Sequence, residues 1–181
     1  MPARVSNMNL REQLSNAMQG NVVVMGIGNP CRGDDAAGSC VAQQICSAPG
    51  VSVIDAQDVP ENYLCQAADQ RPDTIVLIDC VDMKSAPGSV ALFDVDQTAA
   101  YWPSTHRVPV SLLVDYLERT TAARVFLIAI QPLQTGFLQP MSTEVLSSVE
   151  VIADVLNGVV EMRRMSAGAE CAGPLRGRVP A

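Results

Sequence analysis

The sequence has one histidine, no Cys-x-x-Cys pair, no strongly basic stripe and no long apolar run. Each scarcity removes a class of function. Six cysteines stand at 31, 40, 46, 65, 80 and 171 without the paired spacing of a zinc ribbon or a thioredoxin-type site. Cys40 and Cys46 fall in an expected helix and Cys80 closes an apolar strand, so a reduced, cytoplasmic chain fits better than a disulfide framework. A formal net charge of −7, with no basic patch to offset it, argues against nucleic-acid binding. The longest strongly apolar run, residues 125–130, falls far short of a membrane span, so no membrane insertion is expected. The first twenty residues carry Arg4, Arg11 and Glu12 and lack the apolar centre of a signal peptide. No Gly-x-Ser-x-Gly elbow is present, which weakens a serine hydrolase.

What remains is ordinary globular composition, 48% hydrophobic and 17% charged over 181 residues. A chain of this length buries roughly 70% of its unfolded surface in one domain. Residues 8–19 predict a short amphipathic helix ahead of the domain. Apolar runs at 22–26, 51–55, 74–79, 89–93 and 124–130 predict five strands. Helical spacing at 37–47, 61–69, 110–119 and 142–164 fills the intervals, with Ser142 or Thr143 placed to cap the last helix. Alternation of this kind implies an α/β fold, a three-layer αβα sandwich on a mainly parallel, about five-stranded sheet. The Pro87-Gly88 turn is too short for a crossover helix, so the fourth strand is expected to run antiparallel to the third. The expected organisation is a helical extension over 1–20, one domain over 21–164 and a mobile tail over 165–181.

In such sheets ligands bind beyond the carboxyl ends of the strands. Three segments therefore carry the chemistry: the loop from Gly26 to Asp35, the end of the third strand at Asp79-Cys80-Val81-Asp82, and the long segment 96–109 with His106. Gly26 and Gly28 begin a dinucleotide-type glycine pattern, but Cys31 stands where the third glycine belongs. A tight turn explains the glycines better than a nucleotide does. Asp34 and Asp35 are adjacent, so one of them is expected to face the pocket. Asp35 has two readings, a helix N-cap or a ligand. Asp79 ends a wholly apolar strand, where an unpaired charge would be costly. Any step that needs an imidazole must use His106. Two carboxylates and one imidazole would suit a divalent first-row metal with open positions. A cysteine nucleophile at Cys31 or Cys80, activated by His106, is the competing chemistry.

The segments GIGNPCRGDDAAG (26–38), VLIDCVDM (76–83) and STHRVPVSLLVDYL (104–117) resemble, in order and spacing, the motifs of the hydrogenase maturation endopeptidases. VIDAQDVPEN (53–62) and IQPLQTGFLQPM (130–141) resemble the branch that processes hydrogenases of the formate-hydrogenlyase type. The resemblance runs from about residue 21 to 163. It implies an αβα sandwich and metal contacts from Asp35, Asp79 and His106, with Asp35 and Asp79 also the catalytic candidates. It implies a nickel-dependent, aspartyl endopeptidase-like activity, acting as a monomer on the C-terminal extension of a NiFe-hydrogenase large-subunit precursor after nickel insertion.

Carboxylates and imidazole are harder ligands than the thiolates that hold nickel in the hydrogenase, so the ion would stay with the substrate that supplies it. The ion could polarise the scissile carbonyl or activate water, or an aspartate could act as general base; these stay open. A non-catalytic nickel-checking or metal-chaperone protein would use the same ligands, and a small nucleotide-binding domain is a further alternative. Two departures stand out. Ala36 replaces the glycine that usually follows the acidic pair, and Ala56-Gln57 replaces a glycine pair after Asp55 in a loop linked to cleavage-site choice. Asp55 is a secondary candidate.

Overall fold

The computed structural model describes residues 7–94 and 110–170. The strands are β1 (Val22–Ile27), β2 (Val51–Gln57), β3 (Thr74–Cys80), β4 (Val90–Asp94) and β5 (Arg124–Ile130). The helices are α1 (Asn7–Ala17), α2 (Ala37–Gln44), α3 (Leu64–Asp69), α4 (Val110–Thr121) and α5 (Thr143–Glu170). Short 3-10 turns, Gly33–Ala36 and Pro60–Tyr63, lead into α2 and α3.

One five-stranded sheet forms in the order β2-β1-β3-β5-β4. The β1 pairings with β2 and β3 and the β3 pairing with β5 are parallel. β4 runs antiparallel, as its short connection required, but it pairs with β5 at the edge rather than with β3. The central strands β1 and β3 are buried along their whole length because helices cover both faces.

Strand alternation divides the core in two. On one face, Val22, Val24, Val76, Ile78, Ile128 and Ile130 pack with Leu14 of α1, Val41 of α2 and Val149, Ile152 and Leu156 of α5. On the other, Val23, Met25, Ile75, Leu77, Val125 and Leu127 pack with Leu64 of α3 and Leu113, Val114 and Leu117 of α4. The period of two along each strand thus becomes the three layers expected from the sequence.

Element ends differ in small ways. α2 stops at Gln44, so Cys46 lies beyond the helix, and α5 runs on past Arg164 to Glu170. Cys31, Cys40, Cys46, Cys65 and Cys80 are free thiols. Among the described residues, no helix is long and apolar enough to cross a membrane.

The topology also fixes where a site can form. From β1 the chain crosses to β2 on one side, then returns to place β3 on the other side of β1. The carboxyl ends of β1 and β3 therefore flank the switch point of the sheet, where α/β folds open a crevice.

Candidate active site

The loop after β1 folds back onto the strand ends at backbone contact. A Cβ on Gly26 would lie 2.1 Å from the Gly38 carbonyl oxygen, and a Cβ on Gly38 would lie 2.1 Å from that of Ile78 and 2.3 Å from that of Ile27. The first turn of α2 therefore sits directly over β1 and β3, an approach that only glycine permits. A Cβ on Gly28 would meet the Asp35 carbonyl oxygen at 2.2 Å. These contacts account for the glycines that opened a dinucleotide-like pattern: they bring the acidic pair onto the sheet edge.

Asp34 and Asp35 are both buried in the 3-10 turn, and they separate. Asp34 faces the β5–α5 loop. Its carboxylate accepts hydrogen bonds from the backbone N–H groups of Leu133 (2.7 Å), Gln134 (3.0 Å) and Ser142 (2.6 Å), and from the Ser142 hydroxyl (3.0 Å). Ser142 does precede α5 and accepts the Leu146 N–H through its carbonyl, but its hydroxyl serves Asp34 instead of capping the helix. The N-cap position of α2 is Ala36, which offers no side-chain oxygen, so the capping position considered for Asp35 is occupied by its neighbour.

Asp35 lies in the turn after β1, and Asp79 immediately precedes Cys80 near the end of β3, at the same edge of the sheet. The thiol is buried and donates to the Asp34 carbonyl oxygen at 2.8 Å. Its pKa is raised, first by burial and then by the charges of Asp79, Asp35 and Asp34. Burial, aided by these charges, keeps Cys80 a neutral thiol, the wrong state for the nucleophile weighed earlier. Cys31 is exposed on the loop.

Alternation along β3 assigns Asp79 to the face of Ile75 and Leu77, the face covered by α4. His106 precedes Val110, the start of α4, and lies outside the described residues together with the rest of 95–109. Among the described residues no group of three His, Cys, Asp or Glu side chains forms a metal-ligand set.

Asp55 is employed within the protein. It accepts from the Ser39 hydroxyl at 2.7 Å and from the Gln43 amide at 2.8 Å, fastening β2 to α2. The two departures from the family pattern separate here. Ala36 has φ −75° and ψ −9°, ordinary helical values that make no demand for glycine. Gln57 has φ 51°, in the left-handed region, at a register shift where Gly26 pairs with Asp55 and Ile27 with Gln57, skipping Ala56. The backbone at Gln57 thus keeps a glycine-type conformation although the residue is not glycine.

Two residues escaped the sequence reading. One is Asp34 as a clamp. The other is Gln131, whose side-chain carbonyl accepts the Met83 (2.7 Å) and Ser85 (3.2 Å) N–H groups, tying the loop after β3 to the end of β5. Their partners lie 46 to 108 positions away in the chain, so no local spacing announces them.

Residues 40–158 match the family model described as hydrogenase maturation protease. This chain belongs to that family. The hydrogenase 3 maturation protease of Escherichia coli K12 is 33% identical over 139 residues, which is 75% of this chain and 88% of that protein. The crystal structure of the NiFe-hydrogenase maturation protease HycI from Thermococcus kodakarensis superposes with a TM-score of 0.75 at 28% identity, covering 82% of this chain and 99% of that one. A solution structure of the Escherichia coli endopeptidase HycI gives 0.64 at 30% identity, covering 76% and 90%. The maturation protease is thus a peptide-bond hydrolase on an αβα sandwich, as the motifs implied, and the matched span includes β3 and its Asp79.

Proposed function

We propose that this maturation protease removes the C-terminal extension of a NiFe-hydrogenase large-subunit precursor once nickel has been inserted, acting as a monomer in the cytoplasm. The observation that supports the reading is that Asp35, in the turn after β1, and Asp79, near the end of β3, stand at the carboxyl edge of neighbouring strands. The printed names of the relatives, hydrogenase 3 maturation protease and HycI, support the same class of substrate.

In this reading nickel arrives with the substrate. Asp35, Asp79 and His106 contact the substrate's ion from one side, and the softer thiolates of the precursor retain it. A hydrolase then needs a group to take the proton of the attacking water, and an aspartate of the pair does so. Burial of both carboxylates strengthens their hold on a cation and excludes competing water.

The test incubates purified, nickel-loaded precursor with the protein and follows its C-terminus by mass spectrometry. The expected product lacks the extension, and Asp79→Asn or His106→Ala abolishes its formation while leaving the fold intact. Binding of precursors without shortening would replace the endopeptidase with a nickel-checking protein. Normal cutting by both variants would overturn this assignment of the site.

A further inference from the structure

The segment between β5 and α5 combines a lack of charge with exposed apolar side chains. Residues 131–142 carry no charged side chain. Leu133, Phe137 and Leu138 are 56%, 68% and 74% exposed. Single exposed leucines are ordinary, but three large apolar side chains on one short loop mark an interaction surface.

This loop is also firmly held. Asp34 takes the N–H groups of Leu133, Gln134 and Ser142, and the Gln134 carbonyl accepts the Asp34 N–H at 3.0 Å. The Leu138 N–H donates to the Cys31 carbonyl at 2.7 Å. Leu138 has φ 56°, a left-handed conformation unfavourable for a branched side chain, so the fold accepts backbone strain where it presents the most exposed of the three. The apolar loop is thus joined by direct hydrogen bonds to the Gly26–Asp35 loop, which carries Asp35.

Resting on the function proposed above, we propose that the loop 131–142 is a docking platform for the large-subunit precursor, with Leu133, Phe137 and Leu138 entering an uncharged, apolar depression on that partner. Continuity with the acidic edge selects this occupant. A protease acting at the switch point must cover the adjoining loop with its protein substrate, and burial of apolar side chains there supplies affinity without charge pairing. A rigid platform adds specificity because little conformational freedom is lost on binding.

The test compares the wild type with the double variant Leu133→Ser, Phe137→Ser on nickel-loaded precursor, measuring KM and kcat separately. Both side chains are exposed, so the urea midpoint should stay at the wild-type value. The expected result is a KM raised about tenfold or more with kcat retained. Phe137→Leu, which keeps an apolar side chain, should recover most of the loss. An unchanged KM in the double variant overturns the platform while wild-type cleavage leaves the endopeptidase standing. A concentration-dependent dimer in sedimentation, abolished by the same substitutions, also overturns it by assigning the patch to a second copy of this chain. Failure of the wild type on every precursor would instead strike the underlying function.

Discussion

At the carboxyl edge of the sheet two neighbouring regions are immobilised by different means. The clamp, where Asp34 meets residues 131–142, is held by hydrogen bonds that converge on one buried carboxylate. The acidic edge, which carries Asp35 and Asp79, is brought together by close backbone approach at Gly26, Gly28 and Gly38. Two successive aspartates, both buried, thus serve different ends. Asp34 acts on the architecture, and Asp35 stands with the reacting groups in the function proposed above. Burial alone does not distinguish them; the reach of the Asp34 carboxylate to the β5–α5 loop does.

The strongest way to break this division is Asp34→Ala. Removing the carboxylate leaves three backbone N–H groups and a hydroxyl without their acceptor. Buried donors cost roughly 1–3 kcal/mol each when orphaned, and partial rehydration offsets some of this, so the net loss should be about 4 kcal/mol. Urea denaturation measures it. Asp35→Asn, nearly isosteric, should change stability by about 1 kcal/mol or less and abolish cleavage. Equal destabilisation by the two substitutions would show that the pair works as one structural unit and dissolve the contrast.

Gly38→Ala probes the other means of support. Its added methyl would lie 2.1 Å from the Ile78 carbonyl and 2.3 Å from that of Ile27, both backbone atoms at the ends of the site-bearing strands. The first turn of α2 must move, and the expected cost is about 3 kcal/mol, at the upper end of overpacking effects. The acidic edge should shift with it, so cleavage should fall more than the remaining folded fraction explains. Thermal unfolding read beside the activity of the folded protein separates the two effects. Wild-type stability would mean that the glycines do not set the edge.

The layers were legible in the sequence because the apolar runs are nearly continuous in β1, β3 and β5 and helical between them. Even the reversal of β4 followed from the short Pro87-Gly88 turn. Its neighbour did not, since strand order depends on which helices cover which face, and that information is spread over the whole chain. At the site, Asp79 was visible as a charge closing an apolar strand. Asp34 and Asp35 were visible only as a pair. Their separation depends on the Asp34–Ser142 contact across 108 positions, beyond the reach of any local pattern. The close approach of Gly38 to Ile78 was hidden for the same reason.

The smallest expected effect lies at the far end of the same edge, at Gln57. Its φ of 51° places an ordinary side chain in the left-handed region, where glycine is at ease. The conformation is imposed by the register shift beside Asp55 and by the Gly28 N–H, which donates to the Gln57 carbonyl at 2.7 Å. Gln57→Gly keeps that carbonyl and the backbone N–H that faces Asp55, and it removes an exposed side chain. Relief of the left-handed strain, about 1 kcal/mol, is opposed by the greater freedom of glycine in the unfolded chain. A net gain of about 0.5 kcal/mol is expected, read as a small rise in the urea midpoint. The sign decides the point. A gain extends backbone positioning along the edge from Gly38 to β2, whereas a loss would mean that the glutamine side chain itself holds the bend.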